Sequence, residues 1–238
     1  MTRTRIVAVA SAKGSPGCSF IALGLAARLA EAGLATLLVD ADSEAGSLGA
    51  TLDLARAEPP VCLVPLTEAA LAGGTVDVST RLGYLDLSGD PAEVDGRAVA
   101  ELARLRHPAV VADLGHRPGR LQRELVAAAD WLLWVVAPDR TGFERADRAL
   151  AGDAFPRVSA GIVLNRLGPD RLSDAGAVLA ERHRLPVLAR LPESPGGARD
   201  AARRCASAHR AREFRKPFAE LARCVHPDVL GGGGDRWP

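Results

Sequence analysis

The sequence lacks the paired cysteines, the long apolar runs and the strong net charge that mark three common classes of protein. Its four cysteines, at positions 18, 62, 205 and 224, form no C-x-x-C pair and no metal-ligand spacing, so neither a disulfide framework nor a cysteine-based metal site is expected. Apolar stretches such as 127–137 are too short to span a bilayer, and no secretory leader is recognisable. The 30 basic residues are balanced by 29 acidic ones, so no overall field attracts nucleic acid or an anionic membrane. We therefore expect a cytoplasmic globular protein.

Lysine is also scarce, and one of the lysines lies in a loop that contains glycine. Only Lys13 and Lys216 stand among the 30 basic residues. Residues 6–10 form an apolar run typical of a strand buried on both faces, and a helical period begins at Ser19. The intervening loop leads into a helix N-terminus, where backbone N–H groups and the helix dipole favour phosphate. The predicted cofactor contacts in this segment are Gly14, Ser15, Pro16, Gly17, Cys18, Ser19 and Phe20.

This loop matches the phosphate-loop pattern G-x-x-x-x-G-K-[ST] only in part. Residues 12–19 read Ala-Lys-Gly-Ser-Pro-Gly-Cys-Ser, which resembles the deviant Walker A loop of the ParA/MinD family. By that resemblance, Lys13 is the signature lysine that reaches across a dimer to the partner's nucleotide, and Ser19 supplies a magnesium-binding hydroxyl. Ser15 departs from a family glycine, and Cys18 departs from the lysine that grips the β- and γ-phosphates.

The cysteine at position 18 predicts impaired catalysis. A lysine ammonium makes charge-assisted bonds to phosphate worth about 1.5–3 kcal/mol each, so its loss weakens binding roughly 10- to 100-fold. Charge that develops in the transition state also goes uncompensated. We therefore expect ATP hydrolysis to be weak or absent. An alternative interpretation is redox chemistry, because a thiol at a helix N-terminus can have a lowered pKa.

Short apolar strands alternate along the chain with helices of ten or more residues. This alternation predicts an α/β fold with a mainly parallel central sheet and helices on both faces, the architecture of ParA/MinD-like P-loop proteins. We expect one domain over residues 1–228 and a disordered tail over 229–238. A helix is predicted at 197–208, and the last helix, 212–224, reads as interrupted by Pro217 and without a clear apolar stripe, which argues against a membrane anchor.

Several polar residues follow apolar strands, at the edge of a parallel sheet where ligands bind. Asp113 is predicted to hold Mg²⁺, since this ion prefers oxygen ligands, and the family resemblance implies that Ser19 and Asp40 take part in the same magnesium site. The family resemblance implies that Asp42 acts with Lys13 in catalysis by positioning the attacking water. It also implies that Asn165 and Arg166 contact adenine. The alternative for each acid is a loop carboxylate that caps a helix, and His116 is expected to be a solvated loop residue.

The resemblance implies a switch that binds ATP and magnesium and forms a homodimer around the nucleotide. The segment 46–48, Gly-Ser-Leu, is similar to the CpaE/TadZ members of the family, which implies a pilus or secretion apparatus as partner, at a cell pole or at the inner face of the membrane. Two other functions stay open. One is a scaffold that has lost nucleotide binding, and the other is a partitioning ATPase that binds DNA through an arginine-rich patch near 199–215.

Overall fold

The computed structural model describes residues 3–14, 16–43, 48–54, 66–88, 94–168, 173–194, 196 and 208–226, with backbone alone at 173–175 and 208. The strands are β1 Arg5–Ser11, β2 Thr36–Asp40, β3 Thr75–Ser79, β4 Leu82–Asp86, β5 Ala109–Asp113, β6 Trp131–Val136, β7 Ala160–Leu167 and β8 Val187–Pro192. The helices are α1 Cys18–Glu31, α2 Leu48–Thr51, α3 Glu68–Gly74, α4 Gly96–Arg106, α5 Arg120–Ala128, α6 Arg140–Ala151, α7 Ser173–His183 and α8 Arg212–Val225. A 3₁₀ turn at Ala208–Arg210 precedes α8. The predicted tail and all but the last residue of the predicted 197–208 helix lie outside the described residues.

The strands form one eight-stranded sheet in the order β3-β4-β2-β5-β1-β6-β7-β8. Every neighbouring pair is parallel except β3 with β4, which confirms the predicted mainly parallel sheet. The sequence pattern did not reveal β3, because Thr75–Ser79 is an edge strand with a largely exposed, partly polar surface. A register irregularity between Asp77 and Ser79 further weakens its strand signature.

The two faces of the sheet follow directly from the two-residue period of the strands. Leu38, Val111 and Val163 point into the core on the face covered by α1 and α8. Their neighbours Val110 and Ile162 point to the opposite face, which is covered by α3–α7. Because both faces are buried, each central strand is a continuous apolar run.

The last helix corrects the sequence analysis, because α8 carries a clear apolar stripe and continues through Pro217. Phe214, Phe218, Leu221 and Val225 recur at helical spacing and are almost completely buried against α1 and the neighbouring strands. Proline removes one backbone hydrogen bond, and the burial of two phenylalanine rings offsets that loss. The stripe therefore faces the core of the protein. In the part of the chain that is described, no helix is both long and apolar enough to cross a membrane.

We expect Gly24→Ala to lower the free energy of unfolding, because a Cβ at Gly24 would lie 2.2 Å from Phe218 Cζ. Overpacking of this kind costs about 1–3 kcal/mol, and urea denaturation measures it. The matched control is Gly73→Ala in α3, where nothing lies within 4 Å of the added carbon. That change should stabilise the protein by about 0.5–1 kcal/mol. Equal stability of the two variants would contradict this packing of α8 on α1.

Candidate functional site

Three buried polar side chains lie at the carboxyl ends of β2, β5 and β7, on the face that α1 covers. Asp40, Asp113 and Asn165 each follow, by two residues, a strand residue whose side chain packs toward α1, so the strand period directs all three to the same face. Asp40 pairs with Asp113 in the parallel register of β2 and β5. The exposed fractions are 0% for both aspartates and 4% for Asn165. The sheet therefore places these predicted site residues on one face at one edge, with Asp40 beside Asp113 and with Asn165 three strands away from Asp113.

The loop before α1 presents its backbone to the same corner. Gly17 precedes the helix with φ of 98°, in the left-handed region, and offers no side-chain cap. The first intrahelical bond runs from the Ile21 N–H to the Gly17 carbonyl at 3.0 Å, so the N–H groups of residues 18–20 lie ahead of the hydrogen-bonded ladder. The Ser11 hydroxyl donates to the Lys13 carbonyl at 2.7 Å and holds the start of the loop. This arrangement suits an anion.

The surroundings of Asp113 fit a cation. Its Oδ1 accepts the Gly115 N–H at 3.2 Å, while its Oδ2 is buried and has no hydrogen-bond partner among the described residues. Burial raises the pKa of Asp113 to about 6, against the opposing effects of the Ser19 hydroxyl and the Gly115 N–H. A buried oxygen without a partner is costly, and a Mg²⁺ ion held by one carboxylate, one hydroxyl, water and phosphate would satisfy it.

Asp40 is occupied by contacts within the protein. Its carboxylate accepts the N–H groups of Asp42 at 3.2 Å and Leu48 at 3.3 Å, and the Tyr84 hydroxyl at 3.3 Å. Burial, and then the charge of Asp113, raise the pKa of Asp40 to about 7. These bonds anchor the segment after β2. A direct role of Asp40 in the magnesium shell stays a prediction.

Asp42 lies against the loop that follows β5. Gly115 has a φ of +63°, and a Cβ at this position would fall 2.4 Å from Asp42 Cγ, so the carboxyl packs on the glycine backbone. The charge of Asp42 also raises the pKa of Asp113, which places the two carboxyls in one acidic cluster. The nearby Gln122 amide donates to the Ala41 carbonyl at 2.6 Å and ties α5 to this segment. The role of Asp42 in positioning water stays a prediction.

Cys18 is a buried, protonated thiol. Its Sγ lies 3.7 Å from the Gly115 carbonyl, to which the S–H donates. Burial, followed by the charges of Asp113 and Asp42, raises the pKa of Cys18 well above its ordinary value. The sequence analysis considered a reactive Cys18 thiol with a lowered pKa. That interpretation is wrong for this structure, because desolvation and acidic neighbours outweigh the pKa-lowering effect of the helix N-terminus.

Lys13 forms an ion pair within its own chain. Its Nζ lies 2.6 Å from Asp139 Oδ2, and the other oxygen of Asp139 caps α6 by accepting the Gly142 N–H at 2.7 Å. The hydrogen bonds from Lys13 and from Gly142 hold the pKa of Asp139 below its usual range. Lys13, the predicted signature lysine, thus lies in the loop before α1 and is directed to the end of β6; its role stays a prediction.

The remaining predicted contacts lie in the loop before α1, at its start and at the end of β7. The Phe20 ring packs on Phe214 and Phe218, with centroid distances of 5.1 and 5.9 Å, so a contact with a cofactor would come from its backbone N–H. The Asn165 amide donates to the Pro16 carbonyl at 2.7 Å. Arg166 is exposed and has a φ of 62°. The predicted contact Ser15 lies outside the described residues.

His116 faces the loop before α1. Its ring is half-buried, and its Cε1 is 3.7 Å from the place that a Cβ on Gly14 would take. His116 is therefore not simply solvated, as the sequence analysis expected.

Three further residues of the site, Asp139, Tyr84 and Gln122, were not among the predicted ones. Asp139 follows the apolar strand β6, and the rule that selected Asp40 and Asp113 would have found it. Tyr84 and Gln122 carry no local signal, because each acts through a partner on a distant part of the chain.

Comparisons with known proteins agree with this fold. The protein-family model for the CobQ/CobB/MinD/ParA nucleotide binding domain matches residues 7–204. An ATP complex of a variant McdA of Cyanothece is similar in structure at 17% identity, with a TM-score of 0.76 and 100% of each chain covered. Septum site-determining protein MinD of Pyrococcus horikoshii, complexed with Mg-ADP, shows 20% identity and a TM-score of 0.74 over 96% of this chain and 98% of that one. The MinC:MinD cell division complex of Aquifex aeolicus shows 18% identity and a TM-score of 0.75, with 99% of each chain covered. No curated protein matches the chain.

The raised pKa of Asp113 predicts a pH-dependent effect of Asp113→Asn. In the folded protein this carboxyl binds its proton up to about pH 6, compared with an ordinary value of 3.8, so its contribution to stability falls as the pH rises through that window. Without magnesium, we expect Asp113→Asn to gain about 1 kcal/mol relative to the unsubstituted protein between pH 5 and pH 8. Urea denaturation at both pH values measures the difference, in which the contributions of histidines cancel; the pKa of Asp40 falls when the charge of Asp113 is removed, which adds to the gain. A stability difference that does not change with pH would contradict the raised pKa of Asp113 in the folded protein.

Proposed function

Because this chain belongs to the CobQ/CobB/MinD/ParA nucleotide-binding domain family, we propose that it is a nucleotide-dependent switch that binds ATP with Mg²⁺ and hydrolyses it slowly or not at all. The observation that carries the proposal is the buried Asp113 Oδ2 without a hydrogen-bond partner among the described residues, beside the Ser19 hydroxyl at the start of α1. Similar structures with bound ATP and Mg-ADP support it, because they share the same fold over nearly the whole chain.

The residues that would hold the nucleotide follow from this corner of the sheet. Ser19 and Asp113 would hold Mg²⁺, which when bound neutralises charge on the phosphate oxygens. The N–H groups at the start of α1, from Cys18 to Phe20, would bind the phosphates. Asn165 and Arg166, at the end of β7, would meet the base, since an amide both donates to and accepts from a purine edge.

Weak hydrolysis follows from the chemistry at position 18. The Cys18 thiol is neutral and its hydrogen bond is directed to Gly115, so it provides no cation for the β- and γ-phosphates. The neighbouring Asp42 and Asp113 make the corner acidic. Nucleotide binding then depends on backbone N–H groups, on the metal ion and on Lys13, while the transition state lacks the stabilisation that a lysine provides.

The switch would act by forming a homodimer around ATP, with Lys13 reaching the partner's nucleotide. Lys13 must first leave Asp139, and an ion pair with a half-exposed carboxylate costs only about 0.2–1 kcal/mol to break.

We further propose a pilus or secretion apparatus as partner, because the sequence of the segment after β2 is similar to that of CpaE/TadZ proteins. The Aquifex relative in complex with MinC supports a protein partner in general.

Calorimetric titration with MgATP tests the proposal. We expect micromolar binding that weakens about 10-fold in Lys13→Ala and strengthens about 10- to 100-fold in Cys18→Lys, since a charge-assisted phosphate contact is removed or added. The matched control is Lys216→Ala, because the Lys216 side chain is 84% exposed on α8, and this variant should bind like the parent. No heat at millimolar MgATP with folded protein would support the nucleotide-free scaffold. Turnover at rates ordinary for the family would disprove weak hydrolysis.

Asp139→Asn tests the position of the signature lysine. Asparagine keeps the oxygen that caps α6 but removes the charge that holds Lys13, so helix stability should change little. We expect MgATP-dependent dimerisation, measured by sedimentation equilibrium, to tighten about 1.5- to 5-fold, as an exposed ion pair allows. An unchanged or weaker dimer would show that the ion pair between Lys13 and Asp139 does not compete with dimerisation.

The alternative partitioning function is tested by DNA binding. Binding of DNA that falls steeply with salt would favour that function.

A further inference from the structure

A buried side-chain amide holds the phosphate loop from the side. Asn165 donates from Nδ2 to the Pro16 carbonyl at 2.7 Å, across 149 residues of sequence. The assignment of nitrogen and oxygen in this amide is dictated by chemistry, because a backbone carbonyl accepts and never donates. With an exposed fraction of 4% for Asn165, water competes little for the bond, and leaving the carbonyl unpaired is costly.

The fold places Asn165 at this position. Val163, two residues earlier on β7, packs toward α1, so the strand period turns Asn165 to the same side. The pairing of β7 with β8 shifts register between Leu164 and Leu167, and Arg166 takes a left-handed φ of 62°. The regular pairing of β7 with β8 is therefore interrupted next to Asn165, the residue that contacts the loop.

Gly17 is the other half of the contact. A Cβ on Gly17 would lie 2.4 Å from Asn165 Nδ2, and the φ of +98° disfavours any side chain there. The loop backbone and the amide are thus in direct contact. Because the peptide unit is planar and trans, an Asn165 bond to the Pro16 carbonyl directs the N–H of Gly17 to the opposite side of that unit. One bond therefore sets the direction of a loop N–H group immediately before α1.

We infer that Asn165 is a positioning residue for the phosphate loop, so that the affinity for phosphate itself depends on this amide, independently of any contact with a base. The inference deepens the proposed function, since it concerns how the same site is preorganised. An amide has two N–H donors and one acceptor, so gripping the loop with one N–H is compatible with a base contact through the remaining groups.

The first arm of the test needs no nucleotide. Amide hydrogen exchange is measured over residues 12–19 in nucleotide-free protein, for the parent, Asn165→Ala and the near-isosteric Asn165→Asp. We expect exchange there to rise about 3- to 10-fold in both variants, the effect of losing one buried hydrogen bond, with unchanged exchange in the sheet. Unchanged exchange over 12–19 in correctly folded variants would overturn the inference.

The second arm separates a held loop from a base contact. Affinities for MgATP and for magnesium tripolyphosphate, which has no base, are measured by calorimetry with the same three proteins. We expect tripolyphosphate to weaken about 3- to 10-fold, and MgATP to weaken by at least the same factor, because it also loses any contact of Asn165 with the base. Weaker MgATP with unchanged tripolyphosphate would mean that Asn165 contacts only the base, which overturns the inference. If the parent binds neither ligand, the proposed function fails, while the exchange measurement still decides the role of Asn165.

Gln122→Ala is the matched control. Gln122 is also a buried side-chain amide, 2% exposed, and donates to a backbone carbonyl, that of Ala41, at 2.6 Å. Its loss should speed exchange near residues 41–43 and leave residues 12–19 unchanged. A similar rise over 12–19 would mean that loosening any buried amide disturbs the loop, and the specific role of Asn165 would be disproved.

Discussion

The burial of Asp113 is the constraint on which the rest of the site depends. Its carboxyl is shut off from solvent at the junction of β5 with β1 and β2, with one oxygen lacking a hydrogen-bond partner among the described residues. An ionised carboxylate in such a place is costly unless a cation or several donors compensate it. In the protein alone, this cost appears as the raised pKa of Asp113, which favours the protonated carboxyl. In the proposed function, a magnesium ion beside Ser19 would compensate the charge instead.

The same acidic corner explains the state of Cys18. A lysine at this position would place an ammonium near Asp113 and Asp42 and compensate their charge. The thiol leaves that charge uncompensated, and burial, together with that charge, raises the pKa of Cys18 and keeps it protonated. We therefore expect a lysine at position 18 to change both the ligand affinity and the protonation of the surrounding carboxyls.

Two separate sets of buried contacts hold the loops around the site in place. Gly115 follows β5 and packs on Asp42, which follows β2, and the Ala41 N–H donates to the Asp113 carbonyl at 2.8 Å. The Gln122 amide closes this arrangement from α5, while Asn165 holds the phosphate loop from β7. Because these bonds are buried, separating the partners of either set leaves a polar group unpaired.

The sequence by itself determined the α/β fold, the parallel sheet and the strand ends at which Asp40, Asp113 and Asn165 lie. Each of these follows from local periodicity, which decides the face to which a side chain points. Local pattern failed at β3, whose partly polar edge has little apolar signal, and at α8, where burial of phenylalanine rings against α1 overrides Pro217. The tertiary structure alone decided which side chains meet. Lys13 and Asp139 are 126 residues apart, and Asn165 and Pro16 are 149 apart. Such pairs depend on the order of strands in the sheet, and no local period encodes that order.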